Sequence, residues 1–355
     1  MPLLDPAALD AAFAVAARQV DEGVAPWAVL GVATRDRVVR LEATSPAGRQ
    51  ARVGVNAVGL IASISKPIFA TVVMQLVAEG RLSLRQPVED ILPEVARSRP
   101  AGAPPITPWH LLSHTSGLID LDVAGLLSRS ETHEEAVRAL LEEPHRSAPG
   151  ERYAYATSTF DLLGALVAKI DGRPYPEALR ARVLGPLGMA DTTFDPRTLH
   201  ADRLVVPLTS PQPGAAPFDD ATIGALIRFA MPGAGLWSTA SDVLRFGRAF
   251  LRGGELDGAR ILPPAHVALM TREVTVNGLG RTANPLDDAH YALGWGTPGP
   301  ASRAAPGAFG HGGITGTRLW VDPSSDLAIV YLTGVWDQPA WAADPVMDAV
   351  YAALR

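Results

Sequence analysis

A helix followed by two strands opens this chain, and two strands followed by a helix close it. No other feature of the sequence constrains the fold as tightly. Apolar residues at helical spacing predict a helix over residues 6–22. Apolar strands follow near 27–34 and 37–44, joined by the tight polar turn Arg35-Asp36-Arg37. At the far end, strands near 315–321 and 326–333 flank the turn Asp322-Pro323-Ser324-Ser325, and a last helix covers about 344–354. The middle, from about 67 to 250, is mostly helical and is broken by Pro/Gly loops at 100–108, 144–150 and 207–220. Strands at both ends with helices between them predict an α/β (α+β) fold, in which an antiparallel sheet flanked by the N- and C-terminal helices carries an inserted, mostly helical domain. The expected bounds are 1–66 and 250–355 for the discontinuous sheet domain and 67–249 for the helical one, with the active site between them. The irregular stretch Pro207 to Asp220 is a candidate rim or lid of that site.

With 355 residues, 47% of them hydrophobic, the chain can bury a large core and has room for two domains. A net charge of −6 without a basic run argues against nucleic acid as a partner. The absence of cysteine removes disulfides, thiolate metal sites and cysteine catalysis. The start, Met1-Pro2-Leu3-Leu4-Asp5-Pro6, lacks a basic region, and no early apolar run is long enough for an export signal or a membrane span. A cytoplasmic location without membrane attachment is expected.

Lys66 is one of two lysines in a chain with 29 arginines, and it stands three residues after a serine in Ser63-Ile64-Ser65-Lys66. Arginine keeps its proton at any workable pH, whereas a desolvated lysine can become a neutral amine. A lysine reserved for this position points to proton transfer, with Ser63 as the nucleophile it serves. The second lysine, Lys169, has Leu166 at the same spacing, so the chain holds a single S-x-x-K. A solvated first-turn lysine and an arginine-rich codon usage would give the same tetrad without chemistry. Context favours the chemical reading. Apolar residues at Ile64, Ile68, Phe69, Val72, Val73, Leu76 and Val77 predict a helix that starts near Ser63 and stops at Gly80. Pro67 is tolerated in a first turn, where its missing N–H has no partner. Ser63 and Lys66 then share one face at a helix N-terminus, which favours a developing oxyanion.

Further motifs accompany this tetrad: Ile106-Thr107-Pro108-Trp109-His110-Leu111-Leu112-Ser113-His114-Thr115-Ser116-Gly117-Leu118, Pro149-Gly150-Glu151-Arg152-Tyr153-Ala154-Tyr155, Pro186-Leu187-Gly188-Met189, Gly235-Leu236-Trp237-Ser238-Thr239 and Gly310-His311-Gly312-Gly313. Together and in this order they make the chain, from about residue 10 to 350, resemble the serine β-lactamase-like family. That group contains class C β-lactamases, family VIII carboxylesterases, D-aminopeptidases, 6-aminohexanoate-dimer hydrolases and simvastatin-type transacylases. The resemblance implies a β-lactamase/penicillin-binding-protein-like fold. It makes Ser63 the nucleophile, Lys66 its proton acceptor or electrostatic activator, and Tyr155 a proton-shuttling phenol whose pKa the lysine's charge depresses. His311-Gly312-Gly313 matches the Lys-Thr-Gly strand, and the N–H of Ile314 with that of Ser63 is implied as the oxyanion hole. Thr157 stands where the family usually carries a substrate-binding asparagine. That change, with His311 in place of a fixed cation, argues against efficient β-lactam hydrolysis.

Other constellations carry less. His110 and His114 have zinc-ligand spacing but no third ligand follows, so a structural role is expected and no metal site. His133-Glu134-Glu135 fails as a zinc-protease motif because Val137 stands at the second histidine position. No G-x-S-x-G is present. Trp336, after the last strand, is a candidate pocket wall and substrate contact, with loop packing or a dimer contact as the alternative. The expected function is cofactor-free acyl transfer through an acyl-enzyme, with hydrolysis of a small-molecule ester favoured. The closest alternative passes the acyl group to an alcohol or amine. An amidase, a β-lactamase or a non-catalytic binding protein is less favoured, and the oligomeric state is not legible.

Overall fold

The two terminal strand pairs meet in one sheet. The computed structural model describes residues 4–46, 53–121, 130–206, 220–274, 290–299, 302–335 and 342–355. Helix α1 (Pro6–Asp21) leads into β1 (Ala28–Ala33) and β2 (Val38–Thr44). A short β3 (Val58–Leu60) precedes α2 (Ser65–Ala78). Helices α3 (Pro108–Leu112), α4 (His133–Glu142), α5 (Thr159–Asp171) and α6 (Tyr175–Leu179) follow, and then strand β4 (Leu204–Val205). Next come α7 (Asp220–Phe229), β5 (Trp237–Ser238), α8 (Ala240–Leu251), the hairpin of β6 (Glu255–Leu256) and β7 (Ala259–Arg260), and α9 (Pro264–Thr271). The chain closes with β8 (Phe309–Gly313), β9 (Thr317–Asp322), β10 (Leu327–Leu332) and α10 (Ala343–Ala352).

The main sheet runs in the order β2-β1-β10-β9-β8, with every pair antiparallel. Side chains alternate across its faces. Ala28, Leu30, Val32, Ile329 and Tyr331 join Phe13 of α1 and Val346 and Val350 of α10 in one apolar cluster. Val29, Ala33, Ala328, Val330 and Leu332 belong to the larger core on the other side. Both faces being covered explains why β1 and β10 are unbroken apolar runs, each residue buried.

Helix α8 covers the inner face of the sheet. Its approach depends on Gly31, where a Cβ would lie 2.6 Å from Leu244 Cδ1, and on Gly247, which faces Leu319 and Ala328. The boundary expected at 249–250 therefore falls inside a helix packed on the sheet. Sheet residues such as Val330 and helical-region residues such as Phe69 and Leu163 share one continuous core. Residues 207–219 of the proposed rim, and Trp336, lie outside the described residues. Among the described residues no helix is long and apolar enough to cross a membrane.

Candidate active site

Ser63 sits in a tight turn between a strand and a helix. The small sheet β4-β3-β5 delivers the chain to a 3₁₀ turn over Ala62–Ile64, with Ala62 at φ +46°, a left-handed conformation that is costly for a residue with a Cβ. The α-helix proper starts at Ser65, two residues later than the periodicity predicts, so Ser63 stands in the turn rather than capping the helix. Both sides of the turn are fastened to Leu236. The Ile61 N–H donates to its carbonyl at 2.9 Å, and its own N–H donates to Ser65 Oγ at 3.1 Å. Pro67 falls in the first turn of α2, where its lack of an N–H costs nothing.

Lys66 is fully buried, not solvated. Its Nζ lies 3.0 Å from Ser63 Oγ, 3.2 Å from Thr157 Oγ1 and 3.0 Å from the Gly233 carbonyl oxygen. Burial pulls its pKa from the ordinary 10.5 to about 7, against the opposing pull of Asp120 and Asp161. Near neutral pH a large fraction of this amine is unprotonated, with the Ser63 hydroxyl as a neighbour.

Tyr155 is held over the lysine by its own backbone. The Ala154 N–H donates to the His114 carbonyl at 2.8 Å, and the Ala156 N–H donates to His114 Nδ1 at 3.2 Å. The His114 ring packs 4.4 Å from the Tyr155 ring, whose centroid is 4.6 Å from Lys66 Nζ. The Tyr155 hydroxyl is within hydrogen-bonding reach of the Ser63 and Thr157 hydroxyls. Burial raises the phenol's pKa above its ordinary value, and the neighbouring Tyr153 and Asp120 add to the rise. The sequence expectation of a depressed tyrosine pKa is thereby corrected, since desolvation outweighs any help from the lysine. Tyr155 is a neutral phenol, able to give a proton and poorly suited to hold a negative charge.

The zinc-spaced histidines do not share a helix face, because α3 ends at Leu112. His110 completes the N-terminal capping box of α3 with Thr107, and His114, at φ +55°, lies beyond the helix against Tyr155. Among the described residues no group of three or more metal-ligating side chains forms.

Strand β8 is the edge strand that borders the site. Thr315 Oγ1 donates to the Leu60 carbonyl at 2.8 Å and Thr317 Oγ1 to that of Ile61 at 3.3 Å, tying the end of β8 to the chain just before Ser63. At Gly313 a Cβ would lie 2.5 Å from the Ile61 carbonyl oxygen, so only glycine permits this approach. Ile314 follows directly and is 41% exposed. His311 is buried, with Nδ1 2.7 Å from the Gly312 carbonyl and Nε2 3.0 Å from the Tyr291 hydroxyl. The carbonyl can only accept, so Nδ1 carries the proton and Nε2 accepts from Tyr291. Burial, then the nearby Lys66, lowers the His311 pKa to about 3, and the ring is neutral. Tyr153, Tyr155, Tyr291, His311 and Gly312 line one end of a groove of about 610 Å³ that runs along β8 toward α10.

Sequence reasoning missed Gly233 and Tyr291. Gly233 acts through a carbonyl, which every residue has, and no pattern marks it. Tyr291 stands apart from the motifs and reaches His311 only through the fold.

A family model for beta-lactamase matches residues 14–351. The chain belongs to the beta-lactamase family. Its relatives in this family of serine hydrolases include the protein Rv1367c of Mycobacterium tuberculosis, 31% identical over 320 residues, covering 77% of this chain and 76% of that one. Esterase EstB of Burkholderia gladioli is 33% identical over 334 residues, covering 82% of this chain and 81% of its own. Among solved structures, EstCE1, a hydrolase with promiscuous acyltransferase activity, superposes with a TM-score of 0.82 at 25% identity. That match covers 97% of this chain and 99% of EstCE1. The beta-lactamase fold accounts for the antiparallel sheet and for the helical region packed against it.

Proposed function

We propose that this protein is a serine carboxylesterase that hydrolyses small-molecule esters through an acyl-enzyme on Ser63. The observation that carries the reading is the 3.0 Å contact between Ser63 Oγ and a buried amine whose pKa is drawn down to about 7. A serine hydroxyl is a weak nucleophile until an adjacent base takes its proton, and Lys66 is that base. Ser63 attacks the ester carbonyl. The oxyanion is held by the backbone N–H groups of Ser63 and Ile314, as the fastening of β8 to Leu60 and Ile61 supports. Tyr155, a neutral phenol, passes a proton to the departing alkoxide and is reprotonated at the expense of the Lys66 ammonium. Water then cleaves the acyl-enzyme by the reverse path.

Two observations favour an ester over a β-lactam. His311 is neutral and offers no cation to a substrate carboxylate, and Thr157 turns its hydroxyl to Lys66 where an amide side chain would reach toward substrate. The name of the Burkholderia relative, an esterase, supports the same choice. Transfer of the acyl group to an alcohol or amine is the second reading, supported by the promiscuous acyltransferase activity of EstCE1. Turnover of p-nitrophenyl butyrate with and without a competing amine separates the two. Butyric acid as the main product in both reactions fits the esterase, and a predominant butyramide product would move the assignment to acyl transfer. No release of p-nitrophenol from any short-chain ester would overturn both.

A further inference from the structure

The hydroxyl of Thr157 does more than fill the place of an amide. Lys66 Nζ has three neighbours: Ser63 Oγ at 3.0 Å, Thr157 Oγ1 at 3.2 Å and the Gly233 carbonyl at 3.0 Å. The carbonyl only accepts, so it commits one N–H of the neutral amine. One N–H and one lone pair remain for the two hydroxyls. When the lone pair faces Ser63, the other N–H must go to Thr157, whose own O–H is then free to point onward. The next oxygen within reach is the Tyr155 hydroxyl, and beyond it lies Ser63 again. Lys66 thus bonds Ser63 and Thr157 directly, and with the Tyr155 hydroxyl beside both the four groups are placed to pass protons around a ring.

Acylation breaks one side of that ring. Once Ser63 Oγ is an ester oxygen it has no proton to pass between Lys66 and Tyr155. We infer that Thr157 is the proton relay that reconnects Lys66 and Tyr155 while Ser63 carries the acyl group. The inference rests on the hydrolase reading above and adds a role to it.

The transfers balance. In acylation, the Ser63 proton moves to Lys66 as the Ser63 Oγ–carbonyl bond forms, leaving an ammonium. As the bond to the leaving alkoxide breaks, that oxygen takes the Tyr155 proton, Tyr155 takes the Thr157 proton, and Thr157 takes one from the Lys66 ammonium. Lys66 is again a neutral amine, and the net result is one proton carried from Ser63 to the alcohol. Deacylation reverses the direction. A water gives its proton to Tyr155 while attacking the acyl carbonyl, and the relay delivers a proton to Lys66. Lys66 returns it to Ser63 Oγ as the acyl bond breaks. An asparagine at this position could bond Lys66 but could not relay, because an amide would have to tautomerise to pass a proton on. The hydroxyl in place of the amide is what makes the path available.

The test compares Thr157→Ser, Thr157→Val and Thr157→Asn on p-nitrophenyl butyrate, with the solvent deuterium isotope effect measured for each. Thr157→Ser keeps the hydroxyl and is expected to stay within about fivefold of wild type in kcat. Thr157→Val, which keeps the shape, is expected to lose on the order of 10²-fold in kcat with KM little changed, the usual cost of removing a proton-transfer group. Thr157→Asn is the deciding variant. A residue that merely holds Lys66 in place would be replaced well by asparagine, whereas a relay predicts a loss like that of valine. The dependence of rate on deuterium fraction is expected to curve in the wild type, as several protons move together, and to become linear in Thr157→Val. Asparagine or valine variants with kcat near wild type overturn the relay alone. A wild type that leaves no acyl group on Ser63 overturns the hydrolase reading and the relay with it.

Discussion

Lys66→Met should make the stability of this protein depend less on pH, by an amount the structure sets. Methionine matches the lysine stem, packs beside the Tyr155 and Phe160 rings and does not titrate. In the wild type the amine is displaced from 10.5 to about 7 by burial. At about 1.4 kcal/mol per pH unit, that displacement amounts to about 5 kcal/mol between the two protonation states. Between the two pKa values the unfolded chain holds a proton that the folded protein has released. Wild-type stability therefore rises with pH across that window and is unaffected by this group below it. The lost hydrogen bonds to Ser63, Thr157 and Gly233 lower the stability of Lys66→Met by an amount that hardly varies with pH, so the slope isolates the titration. Urea unfolding at several pH values from about 7 to about 9.5 should give a wild-type-minus-variant difference that climbs by about 3 kcal/mol, with equal m-values. A flat difference would mean that the buried lysine keeps its proton in the folded state. It could then not act as the base near neutrality. The same titration predicts a wild-type kcat/KM that rises with pH through about 7.

Three further outcomes follow from the same geometry. Lys66→Arg preserves charge but cannot exchange a proton, so activity should fall by about 10²–10⁴-fold, while Lys169→Arg, at an exposed site, stays near wild type; comparable kinetics for the two variants would remove the proton-transfer role. Gly313→Ala would drive a methyl group into the Ile61 carbonyl and Thr317 Oγ1. It should lose about 1–3 kcal/mol of stability in thermal or urea unfolding and about tenfold or more in kcat, as β8 shifts from Ser63. Nitrocefin should be turned over on the order of 10²-fold less efficiently in kcat/KM than p-nitrophenyl butyrate, and the opposite ranking would show that a neutral His311 and a hydroxyl at position 157 do not exclude β-lactams.

The sheet was largely legible because its inner strands are unbroken apolar runs and its terminal helices show helical spacing. The predicted helix over 6–22 and strands over 27–34 and 326–333 lie within two residues of α1, β1 and β10. Periodicity did not mark β8, since Gly310, Gly312 and Gly313 give it little side-chain pattern; only its family motif did. The start of β9 was placed two residues early because Gly316, at φ +81°, turns the chain between the two strands. The boundary expected at 249–250 fell within helix α8, whose apolar face reads the same whether a sheet or a helix receives it. At the site, the rarity of lysine led to Lys66, and the motifs led to Ser63 and Tyr155. What the sequence could not show was desolvation. Burial draws the lysine's pKa down to about 7, keeps the tyrosine a phenol and leaves His311 neutral, and all three depend on how segments distant in sequence close over one another.

The most direct test of covalent catalysis at Ser63 is the mass of the intact protein after brief exposure to a panel of activated esters and amides. Acid-quenched wild type should carry one acyl group, peptide mapping should place it on Ser63, and the adduct should disappear as ester is consumed. Ser63→Ala should fold, carry no adduct and lose about 10³-fold or more of its turnover. Adducts mapped to another residue, or a folded Ser63→Ala protein that hydrolyses ester at the wild-type rate, would contradict the account.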